Sequence, residues 1–578
     1  MPQMPPTSAD ASVGPLDRGL AVLRALAHAP GGRMRASDLA RATGLARSPV
    51  DRIATTLVRL GYLREEDREL VLAPRLIRLG SAYLRSSGLP GALAGHTVLL
   101  ADELDESVSL AVPDRDAVRF VTQATRRRAL SVSFRIGDAL PAERCAPGAI
   151  FASGWDGEQW AAWSARHRAD PEDAGFPAVP GRRPGGAGGS DGSGQESADG
   201  GDRIGGEFPR RAAEAAERGW AVDDQLIEPG LVAVAVPVRD RAGRLLAALS
   251  AVSHTSRHSA DSLRDYALPA LLRTAERMTE ALAEETAAPP SERDGTTAAP
   301  TLSQDPSRDT SLDPKRELGP EYLQSLARGL AVLAALGDLP GGMTLSAVAQ
   351  ATALPRATAR RSLLTLQQLG YVTADERLFS PLPQVLDLGY PLLSALPLGE
   401  LAQPHLAALV RRVHDSASVA VLDRDDIRYV GRVAAGRIMS VSIAVGTRFP
   451  AHATAMGRVL LAGLSASERQ AWLERAELKQ LTDATVTDRA QLAAELDRTA
   501  RDGFALVDQE LEEGLRSIAV PLHGRDGRVL AAANVSLHAG RTSLQEARET
   551  ILPALREAAA AITADIALVS DSSPLALD

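Results

Sequence analysis

A chain of 578 residues, 45% hydrophobic and 24% charged, has the composition of a soluble globular protein, and at roughly one domain per 100–200 residues it holds several domains. Its formal net charge of −9 excludes a protein coated in basic surface, so any nucleic-acid contact has to be local. The single cysteine, Cys145, excludes an intrachain disulfide and any multi-cysteine metal site, and is expected to be an inert free thiol.

The opening MPQMPPTSADASVGP has no basic segment followed by an apolar one, so residues 1–14 read as a disordered leader and not a signal peptide. No uninterrupted apolar run reaches membrane-spanning length, and a cytoplasmic location is expected. In LDRGLAVLRALA, residues Leu16, Leu20, Val22, Leu23 and Leu26 fall close to helical spacing before the turn HAPGG. ASDLARATGL gives a short amphipathic helix with Leu39, Ala40 and Ala42 inward, ended by Gly44. RSPVDRIATTLVRLGYL starts a third helix with Ser48 as N-cap, Pro49 at the first helical position, and Val50, Ile53, Leu57 and Leu60 as the inner stripe.

Two helices joined by a short glycine turn make a helix-turn-helix, and the following YLREEDRELVLAP has the size of a wing hairpin. The candidate DNA contacts on the third helix are Arg47, Ser48, Arg52, Thr55 and Thr56, with Asp51 on the same face. Arginine pairs bidentately with guanine or holds phosphates, and hydroxyls donate to either.

Much of this recurs. RGLAVL occurs at 18–23 and 328–333, PGG at 30–32 and 340–342, LxxLGY at 57–62 and 366–371, DRD at 114–116 and 423–425, and SVS at 131–133 and 440–442. RGWAVDDQ (218–225) then matches DGFALVDQ (502–509), and AVPVRDRAGRLLAA matches AVPLHGRDGRVLAA. Landmarks in one order mark an internal duplication, and the drop in offset from 309 to 284 means that copy 1 carries about 25 extra residues. Those are visible as the Gly/Ser/Asp tract at 181–202, expected to be a disordered loop. A linker at 285–320 separates the copies.

The second head presents Arg356, Thr358, Arg360, Arg361, Ser362 and Thr365, with no acidic residue between Met343 and Ala374, followed by the wing-sized YVTADERLFSPLP. A linker of this length spans roughly 35 Å, close to the ~34–36 Å between half-sites one helical turn apart, so one chain can form an internal pseudo-dimer on DNA, a homodimer of chains being the alternative.

Behind each head, SVSLAVPDRDAVRFVTQA and SASVAVLDRDDIRYVGRV read as strand pairs around the DRD turn. VAVAVPVRDRAGRLLAALSAV and RSIAVPLHGRDGRVLAAANVSL repeat that pattern among helical stretches, which makes an α+β module. In copy 2, Gly446 and Pro450 mark a bend, and small residues from Ala451 to Gly457 lead into a helix. Unpaired N–H groups of Ala455, Met456 and Gly457 can hold a carboxylate there; an ordinary cap without ligand is the competing reading. No GxSxG, HExxH or P-loop pattern occurs and the histidines are scattered, so an enzyme on small acids is disfavoured.

YLQSLARGLAVLAAL, LFSPLPQVLDLGYPLLSALPLGELAQPHL, GRIMSVSIAVGTRFPAHATAMGRVLLAG and LVDQELEEGLRSIAVPL resemble the IclR-type transcriptional regulators, especially their PcaR/PobR-like branch. The likeness covers nearly all of copy 2 and most of copy 1. It implies two winged helix-turn-helix domains (15–76 and 321–385), each followed by a GAF-like effector-binding domain (77–284 and 386–570). It also implies a regulator of aromatic-acid catabolism through the β-ketoadipate pathway, binding double-stranded promoter DNA and a small organic acid such as protocatechuate, 4-hydroxybenzoate or β-ketoadipate, with no cofactor or metal.

The effector contacts that follow from the resemblance are backbone amides around Met456 and Gly457, side chains of Asp508, Ser517 and Ser536, and the neighbouring Thr454, with Arg437 and His452 as cationic or hydrogen-bonding partners. Copy 1 departs from this pattern: ERCAPGAIFASG stands for HATAMGRVLLAG, Ala233 for Ser517 and Val252 for Ser536, so its pocket is expected to be altered or lost. The alternative function is a small-acid sensor acting by protein contacts without DNA.

Overall fold

The computed structural model describes residues 14–126, 134–179, 199–287, 322–435, 443–570 and 577. The leader to residue 13, most of the 181–202 insertion, the linker from 288 onward, both SVS landmarks and Arg437 lie outside the described residues. The chain divides into two compact units, Met1–Pro391 and Leu392–Asp578.

The first unit begins with a head of α1 (Pro15–Ala27), β1 (Arg33–Arg35), α2 (Ala36–Thr43), α3 (Arg47–Arg59), β2 (Leu63–Glu66) and β3 (Glu69–Leu72). Pro15 pre-sets the first turn of α1, which buries Leu16, Leu20, Val22, Leu23 and Leu26. Between α2 and α3, Gly44 takes φ 66°, a left-handed C-terminal position that L side chains avoid. Only Leu39 of α2 is buried, and Ala42 is exposed, because the short helix meets its neighbours along one narrow edge. Helix α3 starts two residues earlier than its proline suggests: Ala46 is the N-cap, and Ser48 lies inside the first turn without a capping bond. The wing β2–β3 closes on Asp67 and Arg68, both at positive φ, a combination whose twist suits a two-residue hairpin.

The effector-like domain of copy 1 comprises α4 (Leu89–Leu104), β4 (Ser107–Asp114), β5 (Ala117–Ala124), β6 (Ala139–Pro141), α5 (Ala146–Ala152), α6 (Gly157–Ala169), α7 (Asp199–Arg218), β7 (Ala221–Asp224), β8 (Leu231–Arg239), β9 (Leu245–His254) and α8 (Ala260–Ala287). Its sheet is antiparallel in the order β6-β5-β4-β9-β8-β7. The second head follows, with α9 (Gln324–Leu336), β10 (Met343–Thr344), α10 (Leu345–Ala351), α11 (Arg356–Gln368), β11 (Val372–Asp375) and β12 (Leu378–Pro381). The two heads dock through α1 and α9. The segment after the second wing is held by copy 1: buried Arg119 pairs with Asp114 and with Asp387, both at 2.6 Å.

The second unit contains α12 (Leu398–Val413), β13 (Ser416–Asp423), β14 (Asp426–Val433), β15 (Arg448–Pro450), α13 (Ala455–Ala462), α14 (Ala466–Arg475), α15 (Arg489–Asp502), β16 (Ala505–Asp508), β17 (Leu515–His523), β18 (Val529–His538) and α16 (Leu552–Ser570). Its sheet order, β15-β14-β13-β18-β17-β16, repeats that of copy 1 strand for strand. Strand alternation sends Ala420, Ala519 and Ala532 to the face covered by α13, while α16 and α12 cover the other face. The DRD turns recur as well, Arg115 at φ 58° and Arg424 at φ 62°. The fold is thus α+β, with two winged helix-turn-helix heads each followed by an effector-type domain.

Candidate functional site

On α3, Arg47, Ser48 and Asp51 are exposed and Arg52 and Thr55 are half-buried; on α11, Arg356, Arg360 and Arg361 are exposed and Thr358 and Thr365 half-buried. These side chains project from the first three turns of the third helix of each head, where a helix entering a groove presents base-contacting groups. Two residues assigned to that outer face lie elsewhere. Thr56 is fully buried; its hydroxyl donates to the Arg52 carbonyl and accepts from the Leu323 amide at 3.0 Å, which ties α3 to the second head. Ser362 is only 9% exposed and faces the inner stripe.

The second unit holds a recess with about 380 Å³ of space, a figure that includes open solvent. It lies between the start of α13 and the sheet, and its wall joins apolar Ile443, Met456, Val507, Leu511 and Leu515 to polar Thr454, Ser517, Asn534 and Ser536, with Tyr429 between them. The polar patch has a defined hydrogen-bond logic. Asn534 Nδ2 donates to Ser517 Oγ at 3.0 Å and to Ser536 Oγ at 3.3 Å, so each serine still has its own proton to donate. Asn534 itself is 2% exposed, and its Oδ1 is buried without a partner. Ser418, opposite Asn534 in the β13–β18 ladder, likewise has a buried hydroxyl without a partner. Burial pushes the Tyr429 phenol up to about 12, so it stays protonated and able to donate.

Of the residues proposed for the effector, Thr454, Met456, Ser517 and Ser536 line this recess. Ala455 and Gly457 sit behind it, and the Gly457 amide is already taken by Thr454 Oγ1 at 3.0 Å. Gly457 is a packing requirement, since a Cβ there would lie 2.0 Å from the Ala451 carbonyl oxygen. His452 is a correction: it is 2% exposed, its Nε2 meets the Lys479 carbonyl at 3.0 Å, and its own carbonyl accepts from Arg458, which pairs with Glu510 at 2.5 Å. Asp508 is another: alternation along β16 turns Val507 to the recess and Asp508 away from it, where Arg516 holds both carboxylate oxygens at 2.9 and 3.0 Å. Arg437 lies outside the described residues. Tyr429 and Asn534 escaped sequence reasoning, although Asn534 stands two residues before Ser536 on one strand and so shares its face.

In copy 1 the matching positions carry different side chains. Phe120 and Phe134 occupy the positions of Tyr429 and Ile443 and stack at 5.2 Å; elsewhere in the core of the same domain, Trp155, Trp160, Trp163 and Phe208 pack edge-on or tilted around one another at 5.0–5.7 Å. Pro147 replaces Met456 and has no N–H to offer, Cys145 replaces Thr454, and Val252 and Ala233 replace the serines. Ser250, at the position of Asn534, meets Ser109 at 3.3 Å, so this polar pair satisfies itself. Asp223 stands where copy 2 has Val507; burial raises its carboxyl to about 7. Among the described residues no cluster of His, Cys, Asp and Glu suits a metal, and no helix is long and apolar enough to cross a membrane.

Comparison with known proteins matches this architecture twice over. The IclR helix-turn-helix domain matches residues 15–67 and 325–376, and the IclR C-terminal domain of bacterial transcriptional regulators matches 207–280 and 391–564. The shorter match in copy 1 omits the half of the domain that carries Phe120, Phe134, Cys145 and Pro147, and includes the stretch with Asp223, Ala233, Ser250 and Val252. The chain is 45% identical over 237 residues to the Pca regulon regulatory protein of Pseudomonas putida, which covers 41% of this chain and 81% of that protein. It is 34% identical over 244 residues to the p-hydroxybenzoate hydroxylase transcriptional activator of Acinetobacter baylyi, covering 41% of this chain and 90% of the relative. A solved transcriptional regulator from Rhodococcus sp. RHA1 shares 51% identity over 43% of this chain and 99% of its own, with a TM-score of 0.41.

Proposed function

This chain belongs to the IclR family of transcriptional regulators, and on that premise we propose that it is a DNA-binding regulator controlled by a small aromatic acid at the copy 2 recess, governing genes of aromatic-acid breakdown. Its relatives are regulators and not enzymes, two of them named for the Pca regulon and for p-hydroxybenzoate hydroxylase. Arg356, Thr358, Arg360, Arg361 and Thr365 of head 2, with Arg47, Ser48, Arg52 and Thr55 of head 1, contact base edges and phosphates. The observation that carries the effector reading is Asn534, whose buried Oδ1 has no partner in a wall where two serine hydroxyls have protons left to give. A buried polar atom without a partner is destabilising until something supplies one. A hydroxybenzoate supplies both kinds of partner: its carboxylate accepts from the serines, its phenol donates to Asn534, and its ring packs against Met456, Ile443, Leu511 and Leu515.

The test is binding of the full-length protein to the DNA upstream of its own gene, titrated with 4-hydroxybenzoate, protocatechuate and benzoate. Hydroxylated acids are expected to shift DNA affinity or footprint, and benzoate, lacking the phenol, to act weakly. Binding of none of the acids by calorimetry would overturn the effector assignment. Changing Arg356, Arg360 and Arg361 together to alanine is expected to abolish specific DNA binding and flatten its salt dependence. Unaltered binding would remove head 2 as a reader.

A further inference from the structure

The two heads are joined by a contact that two-fold symmetric dimers make between separate copies. Leu326 of α9 fills the space above Gly19 of α1, and Leu16 of α1 fills the space above Gly329 of α9. A Cβ at Gly19 would lie 2.3 Å from Leu326 Cδ1, and one at Gly329 2.4 Å from Leu16 Cδ2. The reciprocity is that of an isologous interface, in which residue i meets j and j meets i. Here it is formed inside one polypeptide, and the two partners are not identical.

The difference falls on the outward face of the third helices. Aligned position by position, Arg47 stands against Arg356 and Arg52 against Arg361, so the flanking cations are shared. Between them, Pro49 stands against Thr358 and Asp51 against Arg360. Both members of the last pair are exposed, and one is an anion where the other is a cation. Asp51 also sits 3.7 Å from the Arg47 guanidinium, one turn back, whereas on α11 no carboxylate accompanies the three arginines. In a major groove a guanidinium matches the two acceptors of guanine, while a carboxylate matches the amino group of cytosine and is repelled by guanine's acceptors. Two helices that differ in this way cannot both be satisfied by identical half-sites.

We propose that this chain reads an operator with two unlike halves, in one fixed orientation, and that Asp51 and Arg360 are the pair that tells the halves apart. Head 2 takes a half-site with guanine at the position read by Arg360, and head 1 takes a half-site with cytosine there. The proposal rests on DNA binding by both heads. It also assigns head 2, with three cations that have no carboxylate partner among the described residues against one carboxylate-accompanied set, the larger share of the salt-dependent phosphate contacts.

The test is selection of binding sites from random double-stranded DNA by the full-length protein, followed by titration of three duplexes: the selected site and the two palindromes made by doubling either half. The expected consensus is non-palindromic, and each palindrome binds about tenfold or more weakly, in line with one or more mismatched positions. Asp51→Arg is expected to reverse this, making the palindrome of the head 2 half the preferred duplex, and Arg360→Asp to favour the palindrome of the head 1 half. Both positions are exposed, and circular dichroism is the check that the variants fold. A palindromic consensus, or variants that lose affinity equally on all three duplexes, overturns the proposal while leaving DNA binding intact. Enrichment of no sequence at all overturns DNA binding itself and the proposal with it.

Discussion

The two effector-type domains share one sheet order and one glycine-dependent bend, yet they line the space beside it differently, and copy 2 carries a lined recess. Gly148 and Gly457 show the common constraint: a Cβ at either would lie 2.0 Å from the carbonyl oxygen of Ala142 or Ala451. The divergence lies in what surrounds that bend. Copy 1 places a stacked phenylalanine pair, a proline and a self-satisfied serine pair where copy 2 places a tyrosine and an isoleucine, a methionine and an asparagine with an unmet acceptor. The scaffold is therefore independent of the side chains that surround this bend.

That contrast can be broken most severely at Phe208, which is fully buried against three tryptophans. Phe208→Ala is expected to destabilise the protein by about 3–5 kcal/mol, measured by denaturant unfolding, since nothing nearby can fill the void. A loss below about 1 kcal/mol would mean that the aromatic packing is not what holds copy 1 together.

Next in size, the copy 1 residues can be transplanted. Ser517→Ala, Asn534→Ser and Ser536→Val together are expected to weaken 4-hydroxybenzoate binding about a hundredfold or more by calorimetry, because hydrogen bonds to a charged ligand are lost. DNA affinity without the acid should not change. Retained acid binding would place the ligand elsewhere.

A third effect concerns pH. Burial raises Asp223 to about 7, while the unfolded chain titrates near the ordinary carboxylate value of about 3.9. The folded state therefore binds the extra proton; its stability is greatest below about pH 4 and falls as pH rises toward 7. Asp223→Asn should remove that slope and raise stability at pH 7. An unchanged slope in thermal unfolding across this window would show that Asp223 is not buried as a neutral acid.

The smallest effect is a null in one copy set against a signal in the other. Cys145 is 4% exposed and burial pushes its thiol well up, so a water-soluble disulfide reagent should not modify it until the protein unfolds. In a Cys145→Ser background, Thr454→Cys places a thiol at the matching position of the recess, where reaction is expected to be slow and blocked by hydroxybenzoate. Rapid modification of Cys145 in the folded protein would show that copy 1 is open.

Much of this organisation was legible in the residues. The RGLAVL phrase and the DRD turns mark scaffold helices and hairpins whose local chemistry is repeated in both copies, and alternation and helical spacing suffice to read such elements. What escaped depended on partners distant in the chain. Thr56 looks solvent-facing on its own helix and is buried because Leu323, 267 residues later, closes over it. Asp508 seems apt for a ligand until the strand register turns its neighbour Val507 to the recess and gives it Arg516. Asn534 sits in a run of alanines that reads as plain core, and only the pairing of β17 with β18 brings it between Ser517 and Ser536.

The reciprocal seating of Leu16 and Leu326 also bears on how the protein behaves when scarce. Subunits that must find each other separate on dilution, so occupancy of their site rises with the square of concentration below the dissociation constant of the pair. Heads tethered in one polypeptide meet at a fixed effective concentration, and occupancy then rises with the first power of the number of molecules. Two heads joined in one polypeptide need no second chain in order to meet each other.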